Sequence, residues 1–484
     1  MLNTDHCYRA LVSRDTRFDG KFFVGVSTTG IYCRPVCTAK TPGETRCTFF
    51  PSAAAAEGAG FRPCLRCRPE LAPGNACVDA PQRIAQAAAS LIDDGFLEER
   101  DLAALAAHLG VTDRHLRRVF QGEFGVAPVG YAQTQRLLLA KRLLTDTALS
   151  VTDIALASGF GSVRRFNALF QERYRLQPNR LRRRGNENGA ADAGNAAPMR
   201  FELAYRPPLA WDLMLAFLSD RAVTGVESSA AGEYRRTVSL VHGGRLHRGW
   251  IAVRRMPRKS TLQVSLSPDL AQAVPPVLAR IKRLFDLACD PHAVAAQLGA
   301  LAEARPGLRV PGAFDGFEMA VRAILGQQVT VKAATTLSGR IARTFGTPLA
   351  TPWAALSHTF PSAATMATLT VDDIASLGVI ATRSRSILAL AARVADGSLV
   401  LAPGVDIEAT MAALQTVPGI GEWTAQYLAM RALAWPDAFP HTDLGVMKAL
   451  GETSPRRVLA LAEPWQPWRA YAVLHLWHSL KEPT

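Results

Sequence analysis

Four cysteines in two close pairs, Cys33-Arg-Pro-Val-Cys37 and Cys64-Leu-Arg-Cys67, constrain the front of this chain more than any other feature. Thiols at C-x3-C and C-x2-C spacing form a tetrahedral Zn²⁺ site, with one ion held by all four sulfurs. Two disulfides or unlinked buried thiols are the alternatives, and Arg34, Arg62, Arg66 and Arg68 crowded around the cysteines weigh against both. From Tyr8 to about residue 78 the apolar material comes in short β-like pieces, such as Phe22-Phe-Val-Gly-Val-Ser and Thr48-Phe-Phe, separated by Gly, Pro and the cysteines. That is too little for a self-sufficient core, and metal-binding free energy then counts as folding free energy. Residues 1–78 are expected to form a small zinc domain.

At 484 residues the chain exceeds one compact core and should divide into several domains. Its 48% hydrophobic and 20% charged residues describe a globular protein. No run of about eighteen apolar residues is present, and Met1 to Arg14 lacks a signal-peptide core, so no membrane partner and a cytoplasmic, nucleoid-associated location are expected. Six of the eight cysteines precede residue 70, with Cys77 and Cys289 left over, a distribution that suits metal chemistry in a reducing compartment better than a disulfide framework. A formal charge of +14 points to a polyanion, here double-stranded DNA.

Between residues 79 and 184 the pattern turns helical and repeats. Leu102-Ala-Ala-Leu-Ala-Ala-His-Leu-Gly110 leads to Arg114-His-Leu-Arg-Arg-Val-Phe120, and Ile154-Ala-Leu-Ala-Ser-Gly159 leads to Val163-Arg-Arg-Phe-Asn-Ala-Leu-Phe170. Pro128 has its counterpart in Pro178. Each unit reads as a helix, a Gly-containing turn and a second helix with Arg on its exposed face, a helix-turn-helix. A helical bundle with a charged solvent face is the plainer alternative. Two such units joined by a helix around Tyr131 to Leu144 resemble the AraC family of transcription regulators, which implies DNA contacts from Arg114, Arg117, Arg164 and Arg165.

Residues 185–198, rich in Gly, Ala and Asn, read as a flexible linker. Residues 199–300 alternate in segments such as Thr237-Val-Ser-Leu-Val and Ser260-Thr-Leu-Gln-Val-Ser-Leu, with helical stretches at Trp211 to Ser219 and Pro275 to Leu287, and are expected to be a small α+β domain. Residues 301–484 are expected to be all-α. The fold class is thus a multidomain α+β chain: zinc domain, double helix-turn-helix, α+β domain and helical domain. In the last, Pro418-Gly-Ile-Gly421 connects two helices, and Gly419 and Gly421 let backbone N–H groups approach a phosphate with no Cβ in the way.

That hairpin, Asp443 in Phe439-Pro-His-Thr-Asp-Leu, Gly316-Phe-Glu-Met-Ala-Val-Arg-Ala-Ile-Leu-Gly-Gln327 and Trp465-Gln-Pro-Trp-Arg-Ala-Tyr together resemble the AlkA branch of the helix-hairpin-helix DNA glycosylases, over about residues 199 to 482. The resemblance implies that Trp423, Tyr427 and Trp477 line an aromatic cleft for a flipped base, and that Asp443 stabilises the oxocarbenium-like sugar and assists water. Packing in the core, for the aromatics, and a helix cap, for Asp443, are the plainer readings. The resemblance also implies monofunctional hydrolysis, because Trp423 stands where strand-cleaving relatives carry Lys. It puts Gln328 in the place of an apolar wedge.

Thr28-Thr-Gly-Ile-Tyr-Cys-Arg-Pro-Val-Cys37 with Phe61-Arg-Pro-Cys-Leu-Arg-Cys67 resembles the N-terminal domain of the Ada family, which is also followed by an AraC-like region. The resemblance implies that Cys33 accepts a methyl group from a DNA methylphosphotriester, with Arg34 and Arg66 near the DNA. Methylating one sulfur removes a negative charge from the site, so DNA affinity should rise and recruit RNA polymerase. The family's Pro-Cys-His-Arg methyltransferase motif has no counterpart here. The combined expectation is a methyl-sensing activator fused to a glycosylase of the DNA-3-methyladenine type. Its rival is an AraC-type regulator with a structural zinc and a non-catalytic C-terminal half.

Overall fold

The computed structural model describes residues 3–73, 80–147, 149–185 and 197–480. Cys77 and the body of the expected linker lie outside these residues. Among them the multidomain α+β architecture appears in the expected order.

In the first module, helix α1 (Thr4–Ser13) starts on Asn3, whose side chain accepts the His6 N–H at 3.0 Å. Strands β1 (Phe23–Val26), β2 (Ile31–Cys33), β3 (Cys47–Phe50) and β4 (Arg62–Pro63) form a sheet ordered β3-β1-β2-β4. Only the β2–β4 pair is parallel, and it aligns Tyr32 with Pro63, placing Cys33 and Cys64 side by side. One face buries Phe22 and Val24 against Cys7 and Leu11. The other buries Phe23 and Tyr32 with Ala53 and Ala56 of α2 (Ala53–Gly58), and completes itself with Leu138 from the next module. The module thus borrows core from its neighbour.

The helical module comprises α3 (Ala80–Asp93), α4 (Phe96–Glu99), α5 (Leu102–His108), α6 (Asp113–Phe124), α7 (Pro128–Asp146), α8 (Val151–Ala157), α9 (Val163–Tyr174) and α10 (Pro178–Gly185). The repeat seen in the sequence is a repeat of caps. Asp101 and Ser150 accept N–H groups at the starts of α5 and α8, and Thr112 and Ser162 do so at the starts of α6 and α9. Such caps are worth about 1 kcal/mol each. Gly110 and Gly159 turn the chain with φ of 67° and 74°, values only glycine adopts cheaply. Helix α7 joins the two units.

Strands β5 (Met199–Ala204), β6 (Glu227–Ala230), β7 (Glu233–His242), β8 (Arg245–Arg255) and β9 (Thr261–Leu266) make an antiparallel sheet ordered β5-β9-β8-β7-β6. Its buried face carries Phe201, Val253 and Val264, which share one apolar cluster with Leu137 of α7 and with Ile154 and Phe166 of the second helix-turn-helix. The two halves of the chain therefore pack through a common core, reinforced by the Arg283–Asp94 ion pair at 2.5 Å. The helical domain begins before residue 300 in packing terms, because Cys289, Val294 and Leu298 lie in its core beside Phe217, Val223 and Val226. A buried ion network, Arg236 to Glu318 at 2.6 Å and Arg322 to Glu227 at 2.8 Å, bolts it to the sheet.

Candidate functional site

Two sites emerge, one at each end of the chain. In the first, the Sγ atoms of Cys33, Cys37, Cys64 and Cys67 all lie within 4.8 Å of one another. A tetrahedron with metal–sulfur bonds of about 2.3 Å has edges of about 3.8 Å, so the four sulfurs fit one Zn²⁺. The Arg34 N–H donates to Cys67 Sγ at 3.3 Å and the Arg66 N–H to Cys64 Sγ at 3.4 Å, bonds that favour thiolate. The sulfurs also perturb one another. Hydrogen bonding to Cys37 leads in pushing Cys33 up, while bonding to Cys33 leads in bringing Cys37 down to about 7. Four thiolates at this spacing need a cation to offset their repulsion, which is what the zinc supplies. Cys37 and Cys64 are buried, whereas Cys33 and Cys67 are partly exposed.

The second site centres on Asp443, the N-cap of helix Leu444–Leu450, where Oδ1 accepts the Val446 N–H at 2.9 Å. The cap reading is correct as far as it goes, but the carboxylate has two further donors. Trp423 Nε1 gives its proton to Oδ2 at 2.9 Å, and Trp477 Nε1 gives its to Oδ1 at 2.8 Å. Trp423 lies on helix Glu422–Arg431, stacked on Tyr427 with ring centroids 5.4 Å apart and planes 9° apart. Trp477, on helix Arg469–Ser479, sits 6.4 Å from Tyr427 and runs parallel to Phe217 at 6.4 Å and 13°. Arg431 anchors Tyr427 from below, donating to its hydroxyl at 2.7 Å. The result is a partly exposed carboxylate rimmed by electron-rich rings, a geometry that holds a cationic planar group by cation–π attraction of about 0.5–2 kcal/mol.

Beside it, helix Ile407–Gln415 and helix Glu422–Arg431 flank the Gly turn. Gly419 has φ +82°, and a Cβ there would strike Ser386 Oγ at 2.4 Å. A Cβ on exposed Gly421 would meet nothing within 4 Å, so the fold itself leaves room for a side chain there. Gln327 ties the neighbouring loop to this turn through Gly419 O at 2.9 Å and Thr424 Oγ1 at 3.0 Å. Gln328 projects next to it, exposed, with φ 54°.

Family models match in the same order. The metal-binding domain of Ada covers residues 6–70, a helix-turn-helix domain 105–184, the AlkA N-terminal domain 200–315, and the HhH-GPD superfamily of base-excision DNA repair proteins 321–455. The probable bifunctional transcriptional activator/DNA repair enzyme AlkA of Mycobacterium tuberculosis is 40% identical over 99% of this chain and 97% of its own. The chain belongs to the Ada/AlkA family. Its C-terminal part is 37% identical to the DNA-3-methyladenine glycosylase 2 of Escherichia coli, across 58% of this chain and 97% of that one. Its front is 32% identical to the bifunctional transcriptional activator/DNA repair enzyme AdaA of Bacillus subtilis, across 37% of this chain and 82% of that one.

The four cysteines converge, as do Asp443, Trp423, Tyr427 and Trp477. Arg114 and Arg117 on α6, Arg164 and Arg165 on α9, and Arg66 beside the metal centre are exposed, with Arg117 also paired to Asp113 at 3.0 Å. Arg34 is the correction. Instead of facing DNA it is buried, its guanidinium paired with Asp19 and donating to Cys67 O at 3.2 Å, because the loop from Cys33 to Cys37 turns it inward under the sulfurs. Phe217 and Arg431 were not foreseen. Phe217 comes from the α+β domain, and no local motif signals that its ring reaches the cleft.

No helix among the described residues is long and apolar enough to cross a membrane.

Proposed function

We propose that this Ada/AlkA protein carries two DNA-repair chemistries and a transcriptional output. The observation that carries the glycosylase reading is the convergence of two indole N–H groups and a backbone N–H on Asp443, within an aromatic cleft. An alkylated base flipped out of the duplex stacks among Trp423, Tyr427 and Trp477, and its positive charge is drawn to their faces. As the N-glycosidic bond breaks, its electron pair leaves with the base and neutralises that charge. Asp443 faces the cation developing on the sugar, and a water adds to the anomeric carbon while its proton passes to the carboxylate or solvent. No Lys stands at Trp423 to form a covalent adduct, so the reaction ends at an abasic site with the strand intact. Gln328 enters the vacated stack, and Gly419 and Gly421 grip the backbone of the same strand.

At the front, a Zn²⁺ held by Cys33, Cys37, Cys64 and Cys67 would keep these sulfurs as thiolates at neutral pH. Partly exposed Cys33 attacks the methyl carbon of a methylphosphotriester. The S–C bond forms, the O–C bond breaks, and the electron pair stays on oxygen to restore the phosphodiester anion. Arg66 and the arginines of α6 and α9 then hold DNA more firmly against a less negative site, and RNA polymerase is the expected downstream partner. Bases released from methylated duplex DNA, measured for wild type and Asp443→Asn, test the glycosylase. Intact mass of the protein after incubation with a methylphosphotriester duplex tests Cys33. Without base release the C-terminal reading fails, and without one added methyl at Cys33 the sensor reading fails.

A further inference from the structure

Helix α2 spans only Ala53–Gly58, yet it touches equivalent points on both recognition helices. Phe124 is the last residue of α6 and Tyr174 the last of α9, and the two occupy the same place in the internal repeat. At one end of α2, Ser52 caps the helix by accepting the Ala55 N–H at 3.0 Å and donates its hydroxyl proton to Phe124 O at 2.5 Å. At the other end, Glu57 Oε1 accepts the Tyr174 hydroxyl at 3.3 Å and the Tyr32 hydroxyl at 3.0 Å, and Oε2 accepts the Thr134 hydroxyl of α7 at 3.2 Å. Arg173 closes the contact by donating to Glu57 O at 3.3 Å.

Glu57 is only 3% exposed, and its carboxylate accepts from three hydroxyls. An apolar residue here would avoid the desolvation of a carboxyl group, which burial pushes up to about 7. What the carboxyl group provides in return is direction: three donors from three elements are held to one pair of oxygens. A second set of contacts fixes the same bodies. Lys141 of α7 pairs with Glu70 at 2.7 Å, both nearly fully buried, and Arg68, next to Cys67, pairs with Asp146 at 2.6 Å.

We propose that α2, through Ser52 and Glu57, is a brace that sets the separation of the two recognition helices, making the zinc module a structural part of the two-site DNA reader. This rests on the reading of α6 and α9 as DNA-contacting helices. Two helices held at fixed separation demand fixed spacing between the grooves they enter, since recognition sites lie one helical turn or a multiple apart. Tyr32, one residue before Cys33, ties the same brace to the metal centre.

The test uses the full zinc-loaded chain and the tightest unmethylated duplex that wild type selects from a random library. Inserting two base pairs between the two protected grooves should weaken wild-type binding by about tenfold or more, a typical loss when one site is forfeited. For Glu57→Gln and the milder Tyr174→Phe the same insertion should cost less than about threefold, because the helices can then adjust. Variants that keep the full wild-type penalty overturn the brace, as does a wild type indifferent to spacing. Hydrogen exchange provides an independent reading: Glu57→Gln should speed exchange in the last turn of α9 by about fivefold or more, leaving α5 unchanged. Unchanged exchange at α9 overturns the brace whatever the DNA result. If no duplex is selected, the DNA-reading assignment of α6 and α9 fails, and the exchange result alone decides whether the brace exists.

Discussion

Trp477 donates its indole proton to Oδ1 of Asp443 at 2.8 Å from a helix 34 residues further along the chain. Trp423 mirrors it on Oδ2. Rings that would sandwich a base therefore also aim the carboxylate, so removing the whole side chain at either position disturbs binding and chemistry together.

Trp477→Phe separates the two roles. The ring face and its burial persist, while one charge-assisted hydrogen bond worth about 1.5–3 kcal/mol is lost. The expected outcome is a fall of about 10- to 100-fold in single-turnover base release, with a much smaller change in KM. An effect confined to KM would assign Trp477 to base stacking only.

The two hairpin glycines should respond differently to alanine. Gly419→Ala forces a Cβ onto φ +82° and into Ser386, so thermal unfolding should show a loss of about 1–3 kcal/mol. Gly421→Ala has open space and an ordinary φ of −90°. Stability should be preserved there while affinity for undamaged duplex falls, as read by a binding titration alongside the melt.

Metal withdrawal should act on the front of the chain selectively. The two small apolar clusters around β1–β4 cannot replace four metal bonds, so chelation at neutral pH should raise hydrogen exchange in Phe23–Val26 and Cys47–Phe50. The sheet β5–β9 and base release should be unaffected. Cys64→Ser should mimic chelation.

His475 gives the C-terminal domain an acid limit. Burial first, then the charges of Arg305 and His478, bring its imidazole down to about 4 from 6.5. The folded protein holds it neutral and the unfolded chain does not, so its stabilising share is complete above pH 6.5 and drains as pH falls toward 4. The full span is about 3 kcal/mol. His475→Gln should flatten this limb in pH-dependent denaturant melts of the full chain, leaving the curve above pH 7 unchanged in shape.

Features written in neighbouring residues were legible before any coordinates. The cysteine spacings and the turns at Gly110 and Gly159 each depend on a few adjacent positions, and all appear where the sequence puts them. Asp443 and its aromatics were reached only through resemblance, since a lone Asp after a Pro loop reads equally as a helix cap, which it also is. Tertiary pairing was not legible. Arg34 looked like a surface arginine because nothing local reveals that Asp19 waits beneath it. Leu137 and Phe166 show an apolar helix face without naming its partner, so the shared core with Phe201 had no signature. Phe217 reaches the cleft from a different domain for the same reason.

The central claim is that Asp443 turns an aromatic DNA-binding cleft into a hydrolase. Asn caps helices about as well as Asp, so Asp443→Asn should retain the Val446 contact, the fold and DNA affinity. Single-turnover release of 3-methyladenine from methylated duplex is the direct measurement. Release should fall by about 100-fold or more with zinc content and melting unchanged, in keeping with the loss of a group that acts in the transition state. Base release at the wild-type rate by a folded Asp443→Asn protein would contradict it.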